Sequence, residues 1–186
     1  MANICTNEYY FSGDESALNK LFDLFEENEF LGKIFEKHGI QGADKAQGYI
    51  VDIDRDFWYI TVDTKWIPYR ETIESLLSFI GGDIKYCCYS EEQGNGLYEV
   101  YDPDGLGEFA AYQIAVKYEL FGKDEDANIS NIAFYDGVLD KETFNEMVED
   151  LSGKKTKSIE EGRTTLSSML KDEDSYISVH EIKAVS

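Results

Sequence analysis

Hydrophobic and polar residues alternate over several stretches of the chain, which predicts β-strands. Residues 4–12 are rich in β-forming side chains and stop at Gly13, so they predict a first strand. Residues 49–54 and 57–62 predict two strands joined by a tight turn at 54–56. Further strands are predicted over residues 84–90, 97–101, 109–120, 129–135 and 176–184.

Apolar residues recur at helical spacing after the first predicted strand. Asp14 is suited to cap a helix, and the apolar positions between residues 17 and 35 lie on one face. The pattern ends at His38, before a glycine. It fits either one long helix or two helices with a break near Asn28.

Three more helices are predicted from their end signals. Pro68 stands at the expected first position of a helix that ends at Gly81. Asp140 is expected to cap another helix, and residues 159–170 predict the last.

The first hundred residues therefore follow the order β-α-β-β-α-β. This order predicts an α+β fold of the ferredoxin-like type, an antiparallel sheet with the helices on one face. We expect residues 1–120 to form this core. Residues 121–186 are expected to form a C-terminal α/β extension packed on the same domain, whose strands extend the sheet or build a small appendage.

Three short motifs resemble one protein family. Residues 1–7, followed by a strand and an amphipathic helix, are similar to the start of YubB-type proteins, which are ferredoxin-like proteins of plasmids, phages and integrated elements. Residues 61–68 resemble their Thr-x-Trp-x-Pro segment. Glu91, Glu92 and Gly96 resemble their acidic, glycine-containing hairpin. The resemblance covers roughly residues 1–120 and implies the fold; the family has no assigned activity, so it leaves the function open.

Charge limits the partners that the protein can bind. The chain has 186 residues, of which 38 are acidic and 17 basic, for a net charge of −21. The excess is spread evenly, with 19 acids and 8 bases in residues 1–100 and 19 and 9 in the remainder. Such a surface repels phosphate backbones and anionic lipid, which argues against direct nucleic-acid or membrane binding. The simplest interpretation of the charge is solubility, and the same surface would also attract a basic protein, including one that normally binds nucleic acid.

The cysteines indicate the cellular compartment. Cys5, Cys87 and Cys88 are an odd number without framework spacing, and the adjacent pair is expected to point to opposite faces of a strand. Reduced thiols in the cytoplasm fit this pattern. The first residues lack the features of a signal peptide, and the longest apolar stretch, around residues 76–80, is too short to span a membrane.

Alternating acids at Asp52, Asp54 and Asp56 are the nearest approach to a metal loop. An EF-hand requires glycine at its sixth position and glutamate at its twelfth, where this chain has Phe57 and Asp63. The alternation is better explained by the solvent-facing side of a strand. We therefore expect no metal site and no cofactor.

A thiol enzyme is the other chemical alternative. A Cys–His pair would have to be assembled from one of the three cysteines with His38 or His180. Cysteines in strands usually behave as small buried hydrophobic residues. We therefore predict no catalytic residue and keep a small metal-dependent or thiol enzyme as the alternative function.

Aromatic residues cluster between residues 57 and 112, amid acidic neighbours. They fit core packing first and a protein-binding face second. The candidate interaction residues are Trp66, Tyr69, Tyr89, Glu91, Glu92 and Tyr98. The leading hypothesis is a non-enzymatic, acidic interaction protein of a mobile genetic element. It binds another protein and, in its sharper form, does so by imitating nucleic acid.

Overall fold

The computed structural model describes residues 3–123, 129–170 and 175–185, which contain nine strands and five helices. The strands are β1 (Ile4–Gly13), β2 (Tyr49–Asp54), β3 (Tyr59–Lys65), β4 (Ile84–Glu92), β5 (Leu97–Tyr101), β6 (Ile114–Lys123), β7 (Ile129–Leu139), β8 (Tyr176–Glu181) and β9 (Lys183–Val185). The helices are α1 (Glu15–Glu27), α2 (Leu31–His38), α3 (Arg70–Ile80), α4 (Lys141–Ser152) and α5 (Ile159–Ser167). The chain divides into two compact units, residues 1–109 with 184–186, and residues 110–183.

The first unit is built on a six-stranded sheet with the order β2-β3-β1-β4-β5-β9. Neighbouring strands from β2 to β5 are antiparallel. The expectation of an α+β fold with a mostly antiparallel sheet is confirmed.

Alternation along β1 determines which face of this sheet receives the helices. The side chains of Cys5, Asn7, Tyr9 and Phe11 are buried, and the residues between them are partly exposed. The buried face packs with apolar residues of α1, α2 and α3 in one core, so these three helices lie on one side of the sheet. The adjacent thiols of Cys87 and Cys88 point to opposite faces, as predicted, because Cys88 is paired with Tyr9 and Cys87 with the next residue.

The helical pattern after β1 forms two helices. The Asp14 carboxylate accepts a hydrogen bond from the Ala17 N–H at 2.8 Å, which confirms the predicted cap of α1. Asn28 has an extended backbone and ends this helix. The second helix, α2, ends at Gly39, whose φ of 62° is left-handed and therefore suits glycine.

The start of α3 differs from the prediction at Pro68. The helix begins at Arg70, because the residues before it form a turn in which Trp66 has a left-handed φ of 71°. The Ile67 N–H donates to the Lys65 carbonyl at 2.8 Å within this turn. At the start of the helix, the Arg70 guanidinium pairs with Glu99 of β5, which ties α3 to the sheet.

The second unit has its own three-stranded antiparallel sheet, ordered β7-β6-β8. Phe144 and Val148 of α4 and Leu166 of α5 are fully buried against it. Asp140 caps α4, as predicted, by accepting hydrogen bonds from two backbone N–H groups.

One expectation was that the C-terminal strands extend the first sheet, and this holds for only one of them. Among the strands after β5 in the described residues, β9 alone joins that sheet. The domain boundary expected at residue 120 lies within β6, because this strand pairs along its length with β7 and over residues 114–119 with β8.

Two glycines with left-handed backbones provide a test of the packing beside β1. A Cβ atom at Gly13 would lie 1.9 Å from the Asp83 carbonyl oxygen, whereas a Cβ at Gly39 would meet nothing within 4 Å. We expect Gly13→Ala to lower the free energy of unfolding by about 3 kcal/mol or more, from steric overlap plus backbone strain. Gly39→Ala carries the backbone strain alone and is expected to cost about 1 kcal/mol. Urea unfolding measures both, and equal losses would contradict the described contact.

Candidate functional site

The three cysteines are free thiols inside the first unit. Burial raises the pKa of Cys5 from 9.0 to about 11 and the pKa values of Cys87 and Cys88 to about 12. A buried thiol with such a pKa stays protonated at neutral pH and is a poor nucleophile.

Each of the two histidines lies beside a polar side chain. The ring of His38 lies 2.7 Å from the Glu27 carboxylate, at the ends of α2 and α1. The ring of His180 lies 2.8 Å from the Ser178 hydroxyl in β8, and burial lowers its pKa. Each imidazole thus already has a polar partner on its own unit.

The acids of the β2–β3 hairpin support its turn. The Asp54 carboxylate accepts hydrogen bonds from the backbone N–H groups of Asp56 and Phe57 at 3.1 and 3.2 Å, while Asp52 is exposed on the strand. Within residues 3–123, 129–170 and 175–185, His, Cys, Asp and Glu side chains form no group of three suited to a metal ion.

Three of the candidate interaction residues are buried. Glu92 is 1% exposed, and its carboxylate accepts the N–H groups of Gly94 and Asn95 at 2.9 and 2.6 Å, so it shapes the β4–β5 loop. Tyr89 and Tyr98 are 3% and 7% exposed. These three side chains are therefore internal. For Tyr89 and Tyr98 this agrees with the first interpretation, core packing, and the candidate role of all three on an accessible binding face is corrected.

The segment that follows β5 contributes to the burial of Tyr89. The Phe109 ring lies 6.5 Å from the Tyr89 ring, between centroids. The Tyr89 hydroxyl donates to Glu91 at 2.8 Å, and burial raises the pKa of this tyrosine well above its usual value. Glu91 itself is half-buried.

Tyr69 lines a surface groove along α3, and Trp66 directly precedes Ile67, another residue of its lining. The groove lies between this helix and the loop of residues 39–47, and it consists of two adjoining hollows with volumes of about 790 and 540 Å³. The residues that line both hollows are Gly42, Asp44, Lys45, Glu71 and Ser75. We call this feature the α3 groove.

Exposed apolar side chains mark both ends of the α3 groove. Ile67, just before α3, is 51% exposed, and Phe79, in its last turn, is 48% exposed. Trp66, next to Ile67, is 46% exposed. The 11-residue helix between these two positions is about 16 Å long.

Between its ends the α3 groove combines an apolar base with acidic walls. Phe35 and Ile40 are buried beneath it, at 1% and 6% exposure. Asp44, Glu71 and Glu74 line it together with one cation, Lys45. Glu74 accepts a hydrogen bond from the Tyr86 hydroxyl at 3.2 Å, whereas Asp44 and Glu71 form no ion pair within the described part of the chain.

This arrangement is suited to holding a segment of another protein. Apolar ends provide anchor points, and acidic walls provide partners for lysine or arginine. Sequence reasoning identified Trp66 and Tyr69 but missed Phe79. The sequence did contain a signal for it: Phe79 falls outside the helix face formed by Ile73 and Leu76. Those two side chains are buried in the structure, whereas Phe79 is exposed.

Comparisons with known proteins add no relative: no family model, no curated protein and no solved structure matches the chain. Among the described residues, no helix has both the length and the apolar character needed to cross a bilayer.

The thiols provide a direct test of the buried cysteines. We expect iodoacetamide at pH 8 to label the folded protein about 100-fold more slowly than the urea-unfolded protein, because both burial and the raised pKa values suppress the thiolate. Mass spectrometry counts the labels. A single cysteine that reacts in the folded protein at the unfolded rate would contradict this description and favour thiol chemistry.

Proposed function

We propose that the protein is a non-enzymatic binding protein that holds a segment of a partner protein in the α3 groove. The observation that carries the proposal is the pairing of exposed apolar ends with carboxylates that lack an ion-pair partner in the described residues. Isolated exposed apolar residues are common on protein surfaces. Here Ile67 and Phe79 lie at the two ends of one groove, which favours a binding role.

The charge of the chain supports a basic partner. With a net charge of −21, the protein attracts cationic proteins over long range. Asp44 and Glu71 provide short-range partners for lysine or arginine within the groove itself. Proteins that normally bind nucleic acid are included in this class of partner.

The apolar ends distinguish this proposal from pure nucleic-acid imitation. An imitation of a phosphate backbone requires only carboxylates at the surface, and binding of that kind weakens steeply with salt. Exposed Ile67 and Phe79 have no counterpart in such a backbone. They support a partner segment that carries both apolar and basic side chains.

We also propose a ferredoxin-like arrangement for the first unit. Its support is the antiparallel order β2-β3-β1-β4 with helices between β1 and β2 and between β3 and β4. The further proposal of a cytoplasmic protein from a mobile genetic element rests on the YubB-type resemblance and on the free thiols.

A random 12-residue peptide library displayed on phage tests the proposed site. We expect the selected peptides to be enriched in lysine or arginine together with aliphatic or aromatic residues. Their binding is expected to shift the backbone amide resonances of residues 40–47 and 67–79 in ¹⁵N-labelled protein. Ile67→Ser and Phe79→Ser are each expected to weaken binding about tenfold, by removing an apolar contact.

Phe57→Ser is the matched control, because Phe57 is 70% exposed but lies outside the groove. It is expected to leave peptide binding unchanged. Selected peptides that are acidic, or that shift resonances elsewhere and bind Phe79→Ser normally, would refute the proposed site.

A further inference from the structure

Both tryptophans of the chain have a left-handed backbone. Trp58 has a φ of 52° and Trp66 a φ of 71°, and within the described residues they are the only residues other than glycine with a positive φ. This conformation is strained for bulky side chains, in which the Cβ atom crowds the backbone. Such strain persists only where the surrounding structure enforces it.

Packing explains the conformation of Trp58 but not that of Trp66. The ring of Trp58 lies 5.1 Å from the Phe22 ring in an edge-to-face contact and packs against the core of the first unit. The side chain of Trp66 is 46% exposed, and its neighbour Ile67 is 51% exposed. The strained residue thus carries a large ring that the fold leaves half at the surface.

Buried hydrogen bonds hold the turn that carries Trp66. The Thr64 hydroxyl donates to the Ile67 carbonyl at 2.8 Å and lies 3.0 Å from the Asn7 amide nitrogen. Asn7 is fully buried, and its amide also lies 2.9 Å from the Val62 carbonyl. On the other side of the turn, the Trp66 N–H donates to the Asn3 carbonyl at 3.2 Å.

Two exposed apolar residues neighbour Trp66, one on the paired strand β1 and one next to it in the chain. Ile4 is 60% exposed and pairs in register with Lys65, directly before Trp66. Ile67, directly after it, lines one hollow of the α3 groove. Trp66 itself lines neither hollow, and its link to the groove is its position in the chain directly before Ile67.

We infer that Trp66 is a preorganised contact residue for the partner segment. Its strained backbone holds the indole ring where the ring can pack against an apolar side chain of that segment. The inference rests on the proposed function, because it assigns a role at one end of the same groove. The buried contacts of Asn7 and Thr64 hold the backbone of the turn in place before binding, which lowers the entropic cost of association.

The strain is measured without any ligand, by comparing two substitutions that both remove the ring. Trp66→Gly relieves the left-handed backbone and Trp66→Ala retains it, so the glycine variant is expected to melt about 2 °C or more above the alanine variant. Gln93, which is exposed and has no positive φ, is the control site. There the alanine variant is expected to be the more stable. Equal melting temperatures for the two Trp66 variants, or the opposite order, would overturn the inference.

The contact role of Trp66 is measured with the library-selected peptides. Trp66→Ala is expected to weaken their binding at least about tenfold, and Trp66→Gly at least as much despite its higher melting temperature. Thr64→Val, which keeps the shape of the side chain but removes its hydroxyl, is expected to weaken binding, whereas Thr61→Val on the same strand is expected not to.

The outcomes separate the two proposals. Peptides that bind in the groove but bind Trp66→Ala as tightly as the unmodified protein would overturn the contact role of Trp66 and leave the proposed function in place. A library that yields no groove binder would overturn the proposed function and the contact role together, even if the strain at Trp66 is measured.

Discussion

The buried amide of Asn7 connects the centre of the first sheet to the surface that we propose binds a partner. It lies on β1, within hydrogen-bond distance of the Val62 carbonyl and the Thr64 hydroxyl of β3. Thr64 in turn holds the Ile67 carbonyl, which fixes the turn before α3. A buried polar group that loses its hydrogen-bond partner destabilises the fold. This network therefore favours the observed backbone conformation of the residues after β3. The start of α3 and one end of its groove depend on that conformation.

Charge and apolar exposure act together in the α3 groove. Acidic residues on the rest of the surface produce a negative field that attracts cations over long range, but by themselves they select no particular partner. The exposed side chains of Ile67 and Phe79 add short-range contacts at defined positions, one just before α3 and one in its last turn. In the function that we propose, a partner must match both the charge and the spacing, which is a physical basis for specificity.

Local patterns predicted most elements of the fold, because alternation and caps depend on neighbouring residues. Asp14 and Asp140 cap helices as expected. The start of α3 was misplaced at Pro68, since the left-handed backbone of Trp66 has no signature in the sequence. For Tyr89 the sequence favours core packing over a protein-binding face but does not decide between them, because the contact with Phe109 comes from twenty positions further along the chain. The groove likewise depends on a tertiary approach, that of residues 39–47 to α3.

The salt dependence of peptide affinity, measured by calorimetry between 50 and 500 mM NaCl, tests the account most directly. If carboxylates and apolar anchors both contribute, affinity falls with salt to a residual level that persists at high salt, and Ile67→Ser lowers that residual affinity about tenfold. Affinity that is independent of salt would contradict a role for the acidic walls. Affinity that vanishes at high salt, and that Ile67→Ser leaves unchanged at low salt, would contradict a role for the apolar ends and favour imitation of nucleic acid instead.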